Sequence, residues 1–160
     1  MPTRLIIAYP ISANRYWRSF VLGKRVMTAP SHEARSYRSQ VAWAAKEAGI
    51  KIIRGRVAID IELYPHRPLD WGKRAERAPL NWDDDVRCID LDNANKVLLD
   101  AIKGVVIEDD KWVWRLTSRR MEPDGEARVV MTIEPIALPE HPQVALFREG
   151  EDVQQERVTA

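Results

Sequence analysis

Residues 56–64 alternate cleanly: Val57, Ile59, Ile61 and Leu63 point one way, Ala58, Asp60 and Glu62 the other. A period of two marks a half-buried strand, and Pro65 and Pro68 end it. The short apolar run Leu5 to Ala8 predicts an earlier strand over 3–9, closed by Pro10. Between them, Ala34, Tyr37, Val41, Ala44, Ala45 and Ala48 fall at helical spacing. That predicts a helix over 31–48, with Ser31 as N-cap, Glu33 in the first turn and Gly49 as the stop. The spacing returns in Ala94, Val97, Leu98, Ala101, Ile102 and Val105, which predicts a second helix over 93–103 with Gly104 just past its end. Residues 111–120 read as a strand with Trp112, Trp114 and Leu116 on one face, and 127–135 read as another. Pro123-Asp124-Gly125 is a turn signal, so these two strands are expected to form a hairpin. A short extra strand is expected near 20–27.

The order is therefore β-α-β-(long loop)-α-β-β. It predicts an α+β fold in which a mixed β-sheet packs with two helices. The long loop, 65–89, has three prolines, many charges and no convincing periodicity. Loops of that length in a compact domain are usually functional or disordered, and this one leads straight into Asp90. It is either a flap over a site or an insertion with no role. A second irregular stretch, 12–18, gathers Asn14, Arg15, Tyr16, Trp17 and Arg18. Such groups suit phosphates, base edges and stacking, but a surface loop anchored by Trp17 would have the same composition. The chain divides into a domain over 1–136 and a polar, flexible tail over 137–160.

Composition changes this picture little. At 160 residues one domain is expected. No apolar run approaches membrane-spanning length, and Leu5 to Ala8 is too short for a secretory leader. A cytoplasmic protein with no membrane partner is the expectation. The lone Cys88 can form neither an internal disulfide nor a zinc site, and a buried inert thiol is expected. The net charge of +1 excludes nothing. From Glu140 onward five acids face two arginines, a net −3 that leaves +4 on residues 1–139. A weakly basic body with local acidic clusters is compatible with metal and phosphate.

The acids carry the candidate chemistry. Asp90-Leu91-Asp92-Asn93 delivers two carboxylates at the mouth of the second helix, with Asp92 near the N-cap and Lys96 a turn later on the same face. Asp109-Asp110 arrives just after that helix. Asp90, Asp92 and one of Asp109/Asp110 converge if the helix and the next strand fold back. Carboxylate oxygens suit a hard cation such as Mg²⁺, which lowers the pKa of a bound water, while a lysine offsets transition-state charge. The bland alternative makes Asp92 a cap, Lys96 a surface ion-pair partner of Asp92 or Asp100, and Asp109-Asp110 a plain turn. His32, His66 and His141 show no metal-ligand spacing.

Several separated motifs agree on one family. Ile89-Asp90-Leu91-Asp92-Asn93, Lys96, Leu99-Asp100-Ala101-Ile102, Glu108-Asp109-Asp110 and Trp112-Val113 resemble those of the RusA endodeoxyribonucleases, Holliday-junction resolvases common in bacteriophages and prophages. Pro10-Ile11-Ser12-Ala13-Asn14-Arg15-Tyr16-Trp17 resembles that family's P-P-S-x-N-R loop. The resemblance covers roughly residues 3–136. It implies that Asp90, Asp92 and Asp110 bind Mg²⁺, with Mn²⁺ as a substitute, and that Lys96 is catalytic. It places Asn14, Arg15, Tyr16, Arg18 and Arg87 near the DNA and gives Asp100 a supporting role. It further implies a homodimer that cuts four-way junctions in recombination and repair, in a bacterial or phage-infected cell. The alternative is a non-catalytic junction-binding protein of the same fold. Ile11 stands where relatives have a second proline, and Cys88-Ile89 where they often carry basic residues.

Overall fold

The structure, a computed structural model, describes residues 1–138; the tail from 139 on lies outside them. β1 (Thr3–Ala8) leads to a helical turn α1 (Ala13–Tyr16), then β2 (Trp17–Leu22), β3 (Arg25–Pro30) and α2 (His32–Glu47). β4 (Val57–Tyr64), α3 (Trp71–Arg77) and α4 (Leu91–Ile102) follow, then a 3₁₀ turn (Asp110–Trp112), β5 (Val113–Arg120) and β6 (Arg128–Pro135). The expected α+β class with a mixed sheet holds. Four strands run in the order β1-β6-β4-β5, with β4 and β5 parallel and the other neighbours antiparallel, and β2 and β3 make a separate two-stranded sheet.

The helices cover one face of the large sheet. Leu5 and Ile7 from β1, Ile59, Ile61 and Leu63 from β4, and Met131 and Ile133 from β6 meet Ala34, Tyr37 and Val41 of α2 and Ala94, Val97, Leu98 and Ala101 of α4. The opposite face carries charge, including the Arg119–Glu62 pair at 2.6 Å and the Arg115–Glu134 pair at 3.8 Å. Ser31 caps α2 as expected, its Oγ accepting from the Ala34 N–H at 3.1 Å, and Gly49 leaves the helix at φ +67°. No helix among the described residues is long and apolar enough to cross a membrane.

Three expectations change. β5 and β6 are not a hairpin, because β4 lies between them. The run Val129-Val130-Met131 is buried on both faces and needs a neighbour on either side, which it finds in β1 and β4. β5 is exposed along most of its length and takes the edge. The Pro123–Gly125 stretch therefore bridges over the end of β4, where the Met121 N–H bonds the Leu63 carbonyl and the Arg67 N–H bonds that of Gly125.

The 65–89 stretch is not wholly irregular. α3 forms within it, with the Asp70 carboxylate paired to Arg74 at 2.9 Å. The segment is tied down by Trp82, whose Nε1–H donates to Glu122 at 2.7 Å, and by Arg120, which bonds the carbonyls of Asp83 and Val86. The extra strand expected near 20–27 is instead a hairpin, β2–β3, turning at Gly23, which sits at φ +62°. Its apolar side chains Phe20, Val21, Leu22, Val26 and Met27 are exposed. Arg18, Lys24 and Arg25 are accompanied by no acid between 17 and 30.

Candidate active site

Asp90 and Asp92 belong to the start of α4. Asp90, not Asp92, takes the N-cap position, with extended backbone at φ −63°, ψ 140°, and Asp92 stands in the first turn. The Asp90 side chain makes no capping bond. Both carboxylates and Lys96 are exposed, and none has an ion-pair or side-chain hydrogen-bond partner among the described residues. Two unspent carboxylates at a helix N-terminus are favoured by the free N–H groups there. Neither is consumed by the structure around it.

The path into Asp90 is fixed by a residue that patterning did not single out. Tyr9, immediately after β1, donates its hydroxyl to the Cys88 sulfur at 3.3 Å and accepts from the Ile89 N–H at 3.0 Å. A strand end from one edge of the sheet thus holds the backbone directly preceding the N-cap. Cys88 is half-buried and engaged by Tyr9. Burial, then the bond to Cys88, pushes the Tyr9 hydroxyl up to about 12 from 10.0. The neutral phenol is the form the fold favours, so its contribution to stability is complete below pH 10 and is lost as pH rises through about 12. Tyr9→Phe is expected to take one tyrosine's share out of the alkaline rise in absorbance at 295 nm, to which Tyr16 and Tyr37, their hydroxyls also pushed up by burial, contribute as well. It is also expected to loosen the backbone that leads into Asp90, since the Ile89 N–H loses its acceptor.

Asp90 and Asn93 line a groove of about 530 Å³ together with Asn14 and Arg15 from the α1 turn and His66 and Arg87 from the 65–89 segment. Residues far apart in sequence meet here because the ends of β1 and β4 and the start of β6 lie at the same end of the sheet, as do Tyr9, His66 and Ala127 of the groove wall. Arg15 pairs with Glu33 at 2.9 Å while remaining exposed. Arg87 is exposed, with no ion pair among the described residues. Arg18 stands with Asn14 and Arg15 around an adjoining hollow of about 280 Å³.

Two candidates stand elsewhere. Tyr16 is fully buried; its hydroxyl donates to Asp100, which also lies 3.9 Å from the Arg38 guanidinium. A base cannot stack on it. It joins α1 to α4, and Asp100 supports that joint. Trp17 beside it is exposed, its ring edge-on to Tyr16 with centroids 5.0 Å apart.

Asp110 is at the far end of α4. Lys103, just past that helix, bonds Asp110 at 3.0 Å and Asp109 at 3.1 Å. Asn95, near the other end of α4, accepts from Ser118 at 2.6 Å, so α4 and β5 run in opposite directions. α4 has 12 residues, about 18 Å at 1.5 Å each. Ligands of one Mg²⁺ sit about 2.1 Å from it. Asp110 therefore does not join Asp90 and Asp92 within one chain, and no group of three potential metal ligands gathers among the described residues. A single chain presents two carboxylates that fit a hard cation, not three.

Among known proteins, the model of the family described as Endodeoxyribonuclease RusA matches residues 8–134. No curated protein matches the chain.

Proposed function

We propose that this chain, which belongs to the RusA endodeoxyribonuclease family and is thus a hydrolase acting on DNA, resolves four-way junctions by paired, Mg²⁺-dependent cuts in recombination and repair. Mn²⁺ would substitute for Mg²⁺, and the working form would be a homodimer. The observation that carries the reading is the groove itself: the Asn14-Arg15 turn and Asp90, 76 positions apart in sequence, line one cavity.

The roles follow from chemistry. A divalent cation at Asp90 and Asp92 supplies a more acidic water and neutralises phosphate charge. Arg15 and Arg87 flank the groove and would hold the backbone phosphates on either side of the bond to be cut. Asn14 offers both a donor and an acceptor to a phosphate or base edge. Lys96, exposed one turn beyond Asp92, would stabilise the extra charge of the transition state. Arg18, Lys24 and Arg25 extend the basic surface along the β2–β3 hairpin.

A synthetic four-way junction tests this directly. Cleavage is expected with Mg²⁺ and none with EDTA, and affinity is expected to fall steeply between 50 and 200 mM salt, by about 10³-fold if six phosphates are neutralised. Equal cleavage in EDTA would remove the metal from the reading. Equal cutting of linear duplex would remove the junction.

A further inference from the structure

We infer that the β2–β3 hairpin is a wedge that enters the branch point of a DNA junction and stacks its apolar face on a base exposed there. The inference rests on the reading of this chain as a junction-cutting nuclease.

The hairpin carries a surface that the core does not use. In its antiparallel register Phe20 lies opposite Met27 and Leu22 opposite Arg25, and side chains alternate between the two faces. One face therefore presents Arg18, Phe20, Leu22, Arg25 and Met27. The other sets Val21 opposite Val26, next to the Ser19–Thr28 hydroxyl contact at 3.4 Å. Phe20 is 47% exposed, Leu22 66% and Val26 72%, and none belongs to the main core. A contiguous apolar cluster held out in this way marks a contact surface.

Charge and position select its occupant. Arg18, Lys24 and Arg25 give residues 17–30 a charge of +3 with no acid. Two copies of the hairpin brought face to face would repel, whereas a polyanion is attracted. The hairpin is also continuous with the groove. β2 follows directly on the turn that holds Asn14 and Arg15. Its base is pinned there by Ser31, whose N–H bonds the Tyr16 carbonyl at 2.8 Å and whose hydroxyl bonds that of Arg15 at 2.7 Å. From that base the six residues of β2 reach about 20 Å.

The apolar face selects the part of the DNA. Phosphates gain nothing from Phe20 or Met27, and a paired, stacked duplex hides the flat faces of its bases. Those faces open where stacking is interrupted, as at the point where four arms meet. An aromatic ring stacks on any base, and apolar side chains set between base steps hold them apart. Arg18 and Arg25, toward the two ends of the same face, would take the phosphates on either side.

Phe20→Ala, Phe20→Trp and the double variant Lys24→Ala/Arg25→Ala are compared with the parent on a synthetic four-way junction and on linear duplex, in EDTA at several salt concentrations. Phe20→Ala should weaken junction binding about tenfold, leave duplex binding within about twofold and keep the parent's salt dependence, because a stacking contact releases no counterion. Phe20→Trp should restore junction binding. The double variant should weaken binding to both DNAs and flatten the slope of log affinity against log salt by about 1.8. On irradiation, 5-iododeoxyuridine at the branch point should cross-link to the peptide that contains Phe20, and the same base midway along an arm should not. The substituted side chains are exposed, so melting temperatures should match the parent's, and a lower affinity then reports the contact rather than the fold.

Junction binding by Phe20→Ala equal to the parent's, an equal loss on junction and duplex, or a cross-link confined to the arm would each overturn the inference. If Phe20→Ala keeps its DNA binding but sediments at a smaller size than the parent, the face joins two copies of the chain, which overturns it as well. A parent chain that binds junction and duplex alike fails earlier, at the functional reading itself, and takes the inference with it.

Discussion

Asp92→Asn is expected to bind four-way junctions at least as tightly as the parent chain and to cut them about 10³-fold more slowly. The substitution keeps size and shape and removes one negative charge. Asp92 is exposed in the first turn of α4 and makes no ion pair or side-chain hydrogen bond among the described residues. Its loss therefore leaves no buried group unsatisfied, and removing a carboxylate near a polyanion does not weaken binding. A gel-shift titration beside a cleavage time course separates the two effects. The melting temperature should stay within a few degrees of the parent, since only a favourable charge at a helix N-terminus is lost, worth about 0.3–1 kcal/mol. Cutting at the parental rate would remove Asp92 from the chemistry.

Leu98→Ala is expected to do the reverse: large damage to stability, with the acids intact. Leu98 is fully buried on α4 within the main core, against the sheet. Truncating such a leucine removes transfer free energy and leaves a cavity, together about 3 kcal/mol. For a domain of this size that lowers the melting temperature by about 10 °C. Well below the new transition the folded protein should still cut junctions, because the side chain points away from Asp92 and Lys96. Thermal unfolding followed by circular dichroism, with cleavage assayed at low temperature, checks both halves. A change under 1 kcal/mol would mean that α4 is not packed as described.

These two residues also mark how far the sequence could be read. The apolar spacing of α4 and the alternation of β4 are set by burial on one side, and burial of that kind is written in the order of residues. Asp90 and Asp92 were visible for the same reason: they begin a helix whose length and face were already legible. Strand adjacency was not. The Pro123-Asp124-Gly125 signal says that the chain turns, not which strand it turns toward. The better clue was Val129-Val130-Met131, an unbroken apolar run that belongs in the middle of a sheet. α3 left no periodic trace because none of its residues is buried; its ties are Asp70–Arg74 and the Trp71–Trp82 contact, 6.2 Å between centroids. Tyr9 gave no sign either, since its work is a hydrogen bond to a backbone 80 positions away. Tyr16 sat within a motif that read as surface, and only the packing of α1 on α4 puts it inside.

The placement of β6 between β1 and β4 also has a bearing on how the protein is made. β1 leaves the ribosome long before β6, its strand partner among the described residues, with Thr3 opposite Ile133. Until residue 128 and beyond emerge, β1 and β4 are two separate edges around an empty slot, and the apolar faces of α2 and α4 have only part of their floor. Contacts this distant in sequence close late and slowly. A nascent chain stalled at residue 127 should stay protease-sensitive throughout, while one extended past residue 135 and clear of the exit tunnel should become resistant in a single step. The groove would appear at that same moment, since Tyr9 and Asp90 are brought together by the strand that arrives last.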